Sequence, residues 1–200
     1  MSFSQEPNND NDETNKAKVT IKLVVLGKSL VGKSALTYRF ISDKFPTEHD
    51  TTVEDQYKTI ITVNDIEVDL EILDTAGQDD YQTMLDTWIE FGNCYLLVYA
   101  IDDMDSFKQI KFKYDRICKI KANEKFSVVF VGNKCDLQDS KRKVTKIEAQ
   151  NFGKNLGVTA IEVSALTRIN VKEAFTQVVH DYLTKTKKDT IEKGSGCPCF

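Results

Sequence analysis

The segment Gly27-Lys-Ser-Leu-Val-Gly-Lys-Ser34, set directly after the apolar run Ile21-Lys-Leu-Val-Val-Leu26, constrains this chain more than any other stretch. It matches G-x-x-x-x-G-K-[ST] between a predicted strand and a predicted helix whose pattern begins with Ala35, Leu36 and Phe40. The glycines let the backbone curl so that successive N–H groups point into one concavity, which suits a chain of phosphates. Lys33 brings a point charge to the terminal phosphates, and Ser34 offers a hydroxyl to Mg²⁺. The helix that follows directs its positive N-terminal end at the same place. A nucleotide phosphate site is therefore expected, on a fold that alternates strands and helices.

Bulk properties narrow the class. The chain has 200 residues, 40% of them hydrophobic, which suits one domain with one sizeable core. A net charge of -4 gives no electrostatic basis for a nucleic-acid partner. No apolar stretch approaches the roughly 20 residues of a membrane span. The opening Met1-Ser-Phe-Ser-Gln-Glu has neither the basic nor the apolar region of a secretory signal. Cys94, Cys118 and Cys135 stand singly in patterned segments, as small buried hydrophobes do, and the only histidines are His49 and His180. A reducing, intracellular setting is expected.

Residues 1–18 are rich in Asn, Asp, Glu, Ser and Thr and lack apolar periodicity, so a disordered acidic arm is expected there. A folded domain is expected over 19–184, and a flexible tail over 185–200. Strand patterns fall at about 19–26, 57–63, 66–73, 94–101, 127–132 and 158–163. Continuous runs such as Val24-Val25-Leu26, Leu96-Leu97-Val98 and Val128–Val131 suit strands covered on both faces. Ile66–Ile72 alternates instead, and Asn64-Asp65 before it reads as a tight hairpin turn. Helical stripes run through Phe107, Ile110, Tyr114 and Ile117, and from a capping box at Thr145–Glu148 to a stop at Gly157. Another runs from an Asn170 cap through Val171, Phe175, Val178 and Leu183. The expected fold is α/β: a six-stranded, mostly parallel sheet with one antiparallel edge strand and helices on both faces. Ligands in such sheets bind beyond the carboxyl ends of the strands.

The remaining motifs fall at those ends. Asp74-Thr-Ala-Gly-Gln78 follows the strand ending Ile72-Leu73. Asp74 reads as a carboxylate on the Mg²⁺ side, Gly77 as a close backbone approach to the last phosphate, and Gln78 as the donor and acceptor that orients an attacking water. Asn133-Lys-Cys-Asp136 follows Val128–Val131. The Asp136 carboxylate can accept from both the N1–H and N2–H₂ of guanine, a donor pair that adenine lacks. Asn133 can tie neighbouring loops together, Lys134 can cover a base face, the Ala165 N–H after Ser164 can reach the guanine O6, and Phe45 can pack against the base.

With these motifs in order, the chain from about Thr20 to Leu183 resembles the small GTPases of the Ras family. Thr51-Thr-Val-Glu-Asp-Gln-Tyr57 resembles the Ras and Rap type of effector loop, and the interval from Asp136 to Ser164 is too short for the extra helix of Rho-type members. The resemblance implies a GTP/GDP switch that hydrolyses GTP slowly with Mg²⁺. It implies nucleotide contacts from Gly27, Ser29, Leu30, Val31, Gly32, Lys33, Ser34, Ala35, Phe45, Thr52, Gly77, Asn133, Lys134, Asp136, Ser164 and Ala165. Ser34, Thr52 and Asp74 would serve Mg²⁺, with Gln78, Lys33 and Thr52 in the hydrolytic step. Val53, Glu54, Asp55 and Tyr57 would meet Ras-binding effector domains. Guanine nucleotide exchange factors and GTPase-activating proteins would set the state of a monomeric switch.

Several positions depart from the Ras pattern. Ser29 and Leu30 stand where most Ras proteins have two glycines, and a side chain at Ser29 can crowd the attacking water or an incoming arginine. Leu166 replaces a lysine after Ser164-Ala165, and His49 replaces a tyrosine that covers the nucleotide. Ser29 and Leu30 favour a rival, a guanine-nucleotide-binding interaction module with little hydrolysis, which Gln78 and Thr52 oppose; a P-loop kinase is a third reading, disfavoured by Asn133–Asp136. The chain ends Cys197-Pro-Cys-Phe200, which fits C-a-a-X with Phe favouring geranylgeranylation of Cys197 by a prenyltransferase. Lys185, Lys187, Lys188 and Lys193 supply a modest basic flank. Attachment to the cytoplasmic face of a membrane, the plasma membrane, is the corresponding expectation.

Overall fold

The computed structural model describes residues 19–46, 54–77 and 84–194. Six strands form one sheet in the order β2-β3-β1-β4-β5-β6. They are β1 (Val19–Gly27), β2 (Glu54–Val63), β3 (Ile66–Thr75), β4 (Cys94–Ala100), β5 (Ser127–Asn133) and β6 (Thr159–Glu162). Between and after them lie α1 (Lys33–Ser42), α2 (Leu85–Phe91), α3 (Met104–Ile120), α4 (Lys146–Leu156) and α5 (Val171–Gly194). Every neighbouring pair is parallel except β2–β3, which is antiparallel in register from Glu54 opposite Thr75 to Val63 opposite Ile66. Asn64 and Asp65 turn that hairpin, both at positive φ (51° and 61°), as a two-residue turn matched to strand twist requires.

The apolar runs are buried on both sides of the sheet. Leu23 and Val25 face one layer with Leu36, Phe175, Val178 and Val179, so α1 and α5 cover that face. Val24 and Leu26 face the other with Leu85, Trp88, Phe107, Ile110 and Ala149, from α2, α3 and α4. Successive residues point to opposite faces, so a run with no polar interruption is what a strand covered twice demands. Phe40 and Phe175 stack 4.1 Å apart and lock α1 onto α5.

Several local expectations change. β2 starts at Glu54 rather than near 57, because Glu54 and Asp55 pair with Thr75 and Asp74 at the end of β3. The seven-residue α2 is too short to show a helical period, and it was not expected. The Asn170 side chain, at φ 52°, donates to the Glu162 carbonyl at 2.8 Å instead of capping the helix after it. Finally, α5 continues to Gly194, so the tail expected from 185 is helical over its first ten residues. Other signals hold: the Thr145 hydroxyl accepts from the Glu148 N–H, and Gly157 ends α4 at φ 67°. α3 starts earlier than its apolar stripe, at an Asp103 cap that accepts from the Asp105 and Ser106 N–H groups. Of the three patterned cysteines only Cys94 is fully buried; Cys118 and Cys135 are half-buried.

Candidate nucleotide site

β1 is flanked by β3 on one side and β4 on the other, and the connections leave in opposite directions there. That switch point opens a crevice at the carboxyl end of β1. The loop from Gly27 to Lys33 lines it, and two glycines are required by contact. A Cβ on Gly27 would stand 2.3 Å from the Val98 carbonyl oxygen. Gly32 has φ 93°, and a Cβ there would meet the Asn133 Nδ2 at 2.4 Å. That amide is in use: Asn133 Nδ2 donates to the Val31 carbonyl at 2.8 Å, and its Oδ1 accepts from the Ala165 N–H at 3.2 Å. One side chain thus joins the loops after β1, β5 and β6, as its sequence position suggested.

Leu30 lies on the outer rim at φ 65° and is 88% exposed. A branched residue in the left-handed region is strained, and here no burial offsets it. Leu30→Gly should therefore raise stability, with a net gain of about 0.5–1 kcal/mol after the greater freedom of glycine in the unfolded chain is counted. A higher urea midpoint checks it; an unchanged or lower one contradicts the strain.

Lys33 stands at the floor of the crevice, and Asp74 lies buried beneath it, outside the cavity lining. Lys33 is nearly buried, donates to the Lys28 carbonyl at 3.2 Å, and is pushed down to about 8 by burial, with the Asp74 charge opposing. Asp74 is wholly buried and raised to about 6, again by burial first, while Ser34 and Lys33 draw it back down. Ser34 is close enough to exert that pull, yet neither Asp74 oxygen completes a hydrogen bond. A carboxylate held in this way fits a cation. Among the described residues no group of three His, Cys, Asp or Glu side chains could hold a metal, so such a cation would take most of its oxygens from phosphates and water. Gly77 presses on the same loop: a Cβ there would stand 2.4 Å from the Ser29 N and 2.5 Å from the Lys33 Nζ.

A cavity of about 580 Å³ gathers Ser29, Leu30, Gly32, Lys33, Ser34, Ala35, Phe45, Gly77, Asn133, Lys134, Asp136 and Ala165. Three expected contact residues act from behind it. Gly27 is packed against β4, Val31 is a core side chain, and the Ser164 hydroxyl donates to Asp136 Oδ1 and so orients that carboxylate. Lys134, at φ 68°, is paired with Asp102 at 3.6 Å, while Lys28 is paired with Asp103 at 3.0 Å. Neither acid was singled out from sequence; both follow β4 and so lie at the same edge of the sheet. Leu137 and Leu166 add apolar lining that no motif announced. Thr52, Val53, Gln78, His49 and Cys197 lie outside the described residues.

Of the acidic residues beside the switch, Glu54 and Asp55 are exposed on β2, the edge strand, and Tyr57 is half-exposed. The Trp88 indole N–H donates to Glu54 at 2.8 Å, which ties that edge to α2.

A phosphate loop, a buried lysine and carboxylate beneath it, and an Asn–Asp pair on the base side define a P-loop GTPase. The chain belongs to the Ras family, whose model matches residues 22–184. It is 42% identical over 188 residues to Ras-related protein R-Ras of Homo sapiens, an alignment covering 90% of this chain and 86% of that one. It is also 42% identical to Ras-like protein rasB of Dictyostelium discoideum, covering 84% of each chain. To Ras-like protein 2 of Drosophila melanogaster it is 42% identical, covering 80% of this chain and 83% of the relative. It is a GTP-hydrolysing switch of signal transduction, acted on by exchange factors, activating proteins and effectors as the family is.

Proposed function

We propose that this protein is a Mg²⁺-dependent, lipid-anchored Ras-type switch whose chemistry is divided among the residues named above. The observation that carries the reading is Asp74: a wholly buried carboxylate, short of hydrogen-bond partners, beside Ser34 and Lys33. Ser34 and Thr52 would ligate the cation, with Asp74 holding its water. When bound, the cation neutralises charge on the phosphate oxygens. Lys33 binds the terminal phosphates and gains from them the charge stabilisation that burial denies it. The Gly77 N–H and Thr52 hold the γ-phosphate, and Gln78 orients the attacking water. Loss of that phosphate releases Thr52 and the segment around it, which changes what Val53, Glu54, Asp55 and Tyr57 present to an effector.

Removing Mg²⁺ tests the assignment. Chelation should speed GDP release by at least tenfold in the unsubstituted protein, and Asp74→Ala should make release largely insensitive to Mg²⁺, since the coupling passes through that carboxylate. Release unaffected by chelation would overturn the metal reading.

Membrane attachment is proposed through Cys197. Among the described residues no helix is long and apolar enough to cross a bilayer; Cys197-Pro-Cys-Phe200 fits a prenylation motif, which supports attachment through a lipid. One prenyl chain gives reversible binding, with nearby lysines adding about 1 kcal/mol each at an anionic surface. Cys197→Ser should shift the protein from the membrane fraction to the soluble one and leave GTP affinity unchanged. A native C-terminus with unmodified Cys197 and Phe200 still attached, read by mass spectrometry, would refute the anchor.

A further inference from the structure

We propose that Arg39 is a positioning residue that latches the base side of the nucleotide cavity and sets how long a guanine nucleotide stays bound; this rests on the guanine-site reading above. Arg39 is half-buried on α1, and its guanidinium serves three carbonyls at once. Nε donates to Ala165 at 2.8 Å, Nη2 to Leu166 at 2.9 Å and Nη1 to Asp43 at 3.1 Å. The same group lies 5.7 Å from the centre of the Phe45 ring. A second arginine reaches back the other way. Arg168, in the loop after β6 at φ 69°, pairs with the carboxylate of Asp43, the residue that ends α1 at φ 60°.

These contacts join two pieces of chain that meet the base from different sides. Phe45 lies just past the end of α1 and lines the cavity. Ala165 lines it from the other side, and its carbonyl belongs to the peptide next to the N–H that donates to Asn133 Oδ1 and that the sequence places near the guanine O6. Only a planar fork with several fixed donors can serve three such acceptors and still present a face to an aromatic ring. Arg39 therefore ties the Phe45 segment to the Ala165 loop. A nucleotide leaving the base side must part them, so the latch acts on the release rate. Asn133 at the end of β5 and Asp136 just beyond it hold the inner wall of this loop, through the Ala165 N–H and the Ser164 hydroxyl; Arg39 secures its outer wall from α1.

The test is release of a fluorescent GDP analogue from full-length protein, chased with excess GDP. Arg39→Gln should accelerate release on the order of tenfold, because a single amide cannot serve three carbonyls. Arg39→Lys, which keeps the stem and the charge, should also be several-fold fast, since one ammonium lacks the fork. Combined with Phe45→Ala, Arg39→Gln should add less than its own effect, because part of its action passes through that ring. Combined with Mg²⁺ chelation it should multiply in full, because the phosphate side is independent. Release within twofold of the unsubstituted protein in Arg39→Gln, or full multiplication with Phe45→Ala, overturns the latch. An unsubstituted protein that retains no guanine nucleotide overturns the guanine reading together with it.

Discussion

Asp136→Asn should cost GTP roughly 3 kcal/mol, more than a hundredfold in affinity, and turn the protein toward xanthine nucleotides. The direction follows from the geometry around the carboxylate. The Ser164 hydroxyl donates to Asp136 Oδ1, and it can equally donate to an asparagine oxygen placed there. The asparagine amide is then left on the other limb, where it donates. Guanine offers N1–H and N2–H₂, so an amide facing N2 repels it, whereas xanthine offers N1–H and a C2 oxygen and fits. Equilibrium binding of GTP, XTP and ATP to both proteins checks this. GTP affinity retained within tenfold in the variant, or equal affinity of the unsubstituted protein for ATP and GTP, would contradict the assignment.

Gln78→Leu should all but abolish hydrolysis and leave the protein loaded with GTP. A leucine has the volume of glutamine but can neither donate to nor accept from a water. The sequence from Phe40 to Asp115 contains no arginine, so neither switch can supply one in cis. Unaided turnover should accordingly be slow, on the order of 10⁻⁴ to 10⁻³ per second, the range of intrinsic Ras turnover. Ser29 bears on the stimulated rate. Its backbone N lies where a Cβ on Gly77 would come within 2.4 Å, so Ser29 faces the segment that leads into Gln78. Ser29→Gly should raise stimulation by an activating protein. Single-turnover hydrolysis of preloaded GTP, with and without such a protein, reads both effects. Normal turnover in Gln78→Leu, or fast unaided turnover in the unsubstituted protein, would refute the mechanism.

Most of the sheet was legible because burial on two faces and burial on one leave different patterns. Val24-Val25-Leu26 and Val128–Val131 are continuous; Ile66–Ile72 alternates, and the strand order places them accordingly. What escaped was local or borrowed from elsewhere. α2 has seven residues and takes its stability from Trp88 packing in the core and bonding to Glu54, and from Asp86 paired with Arg116 on α3. No period in its own sequence could announce that. The early start of β2 likewise depends on Asp74 and Thr75 as partners across the hairpin.

The site divides in the same way. The phosphate loop, Asp74, and the Asn133–Asp136 and Ser164-Ala165 motifs were fixed by residue type and spacing, because each needs particular atoms a set distance beyond a strand end. Local residue type and spacing thus carry the α/β class and the guanine-nucleotide reading. Which of those residues face the cavity and which support it from behind depends on packing between elements distant in sequence. It turned Val31 into the core, set Ser164 behind Asp136, and brought Lys28 and Lys134 to Asp103 and Asp102. It also brought Arg39 to carbonyls more than a hundred residues away. Such pairs share no local pattern, since a hydrogen bond to a backbone carbonyl leaves no mark on the identity of the accepting residue. The fold alone sets that distance, by packing α1 beside the loop that enters α5.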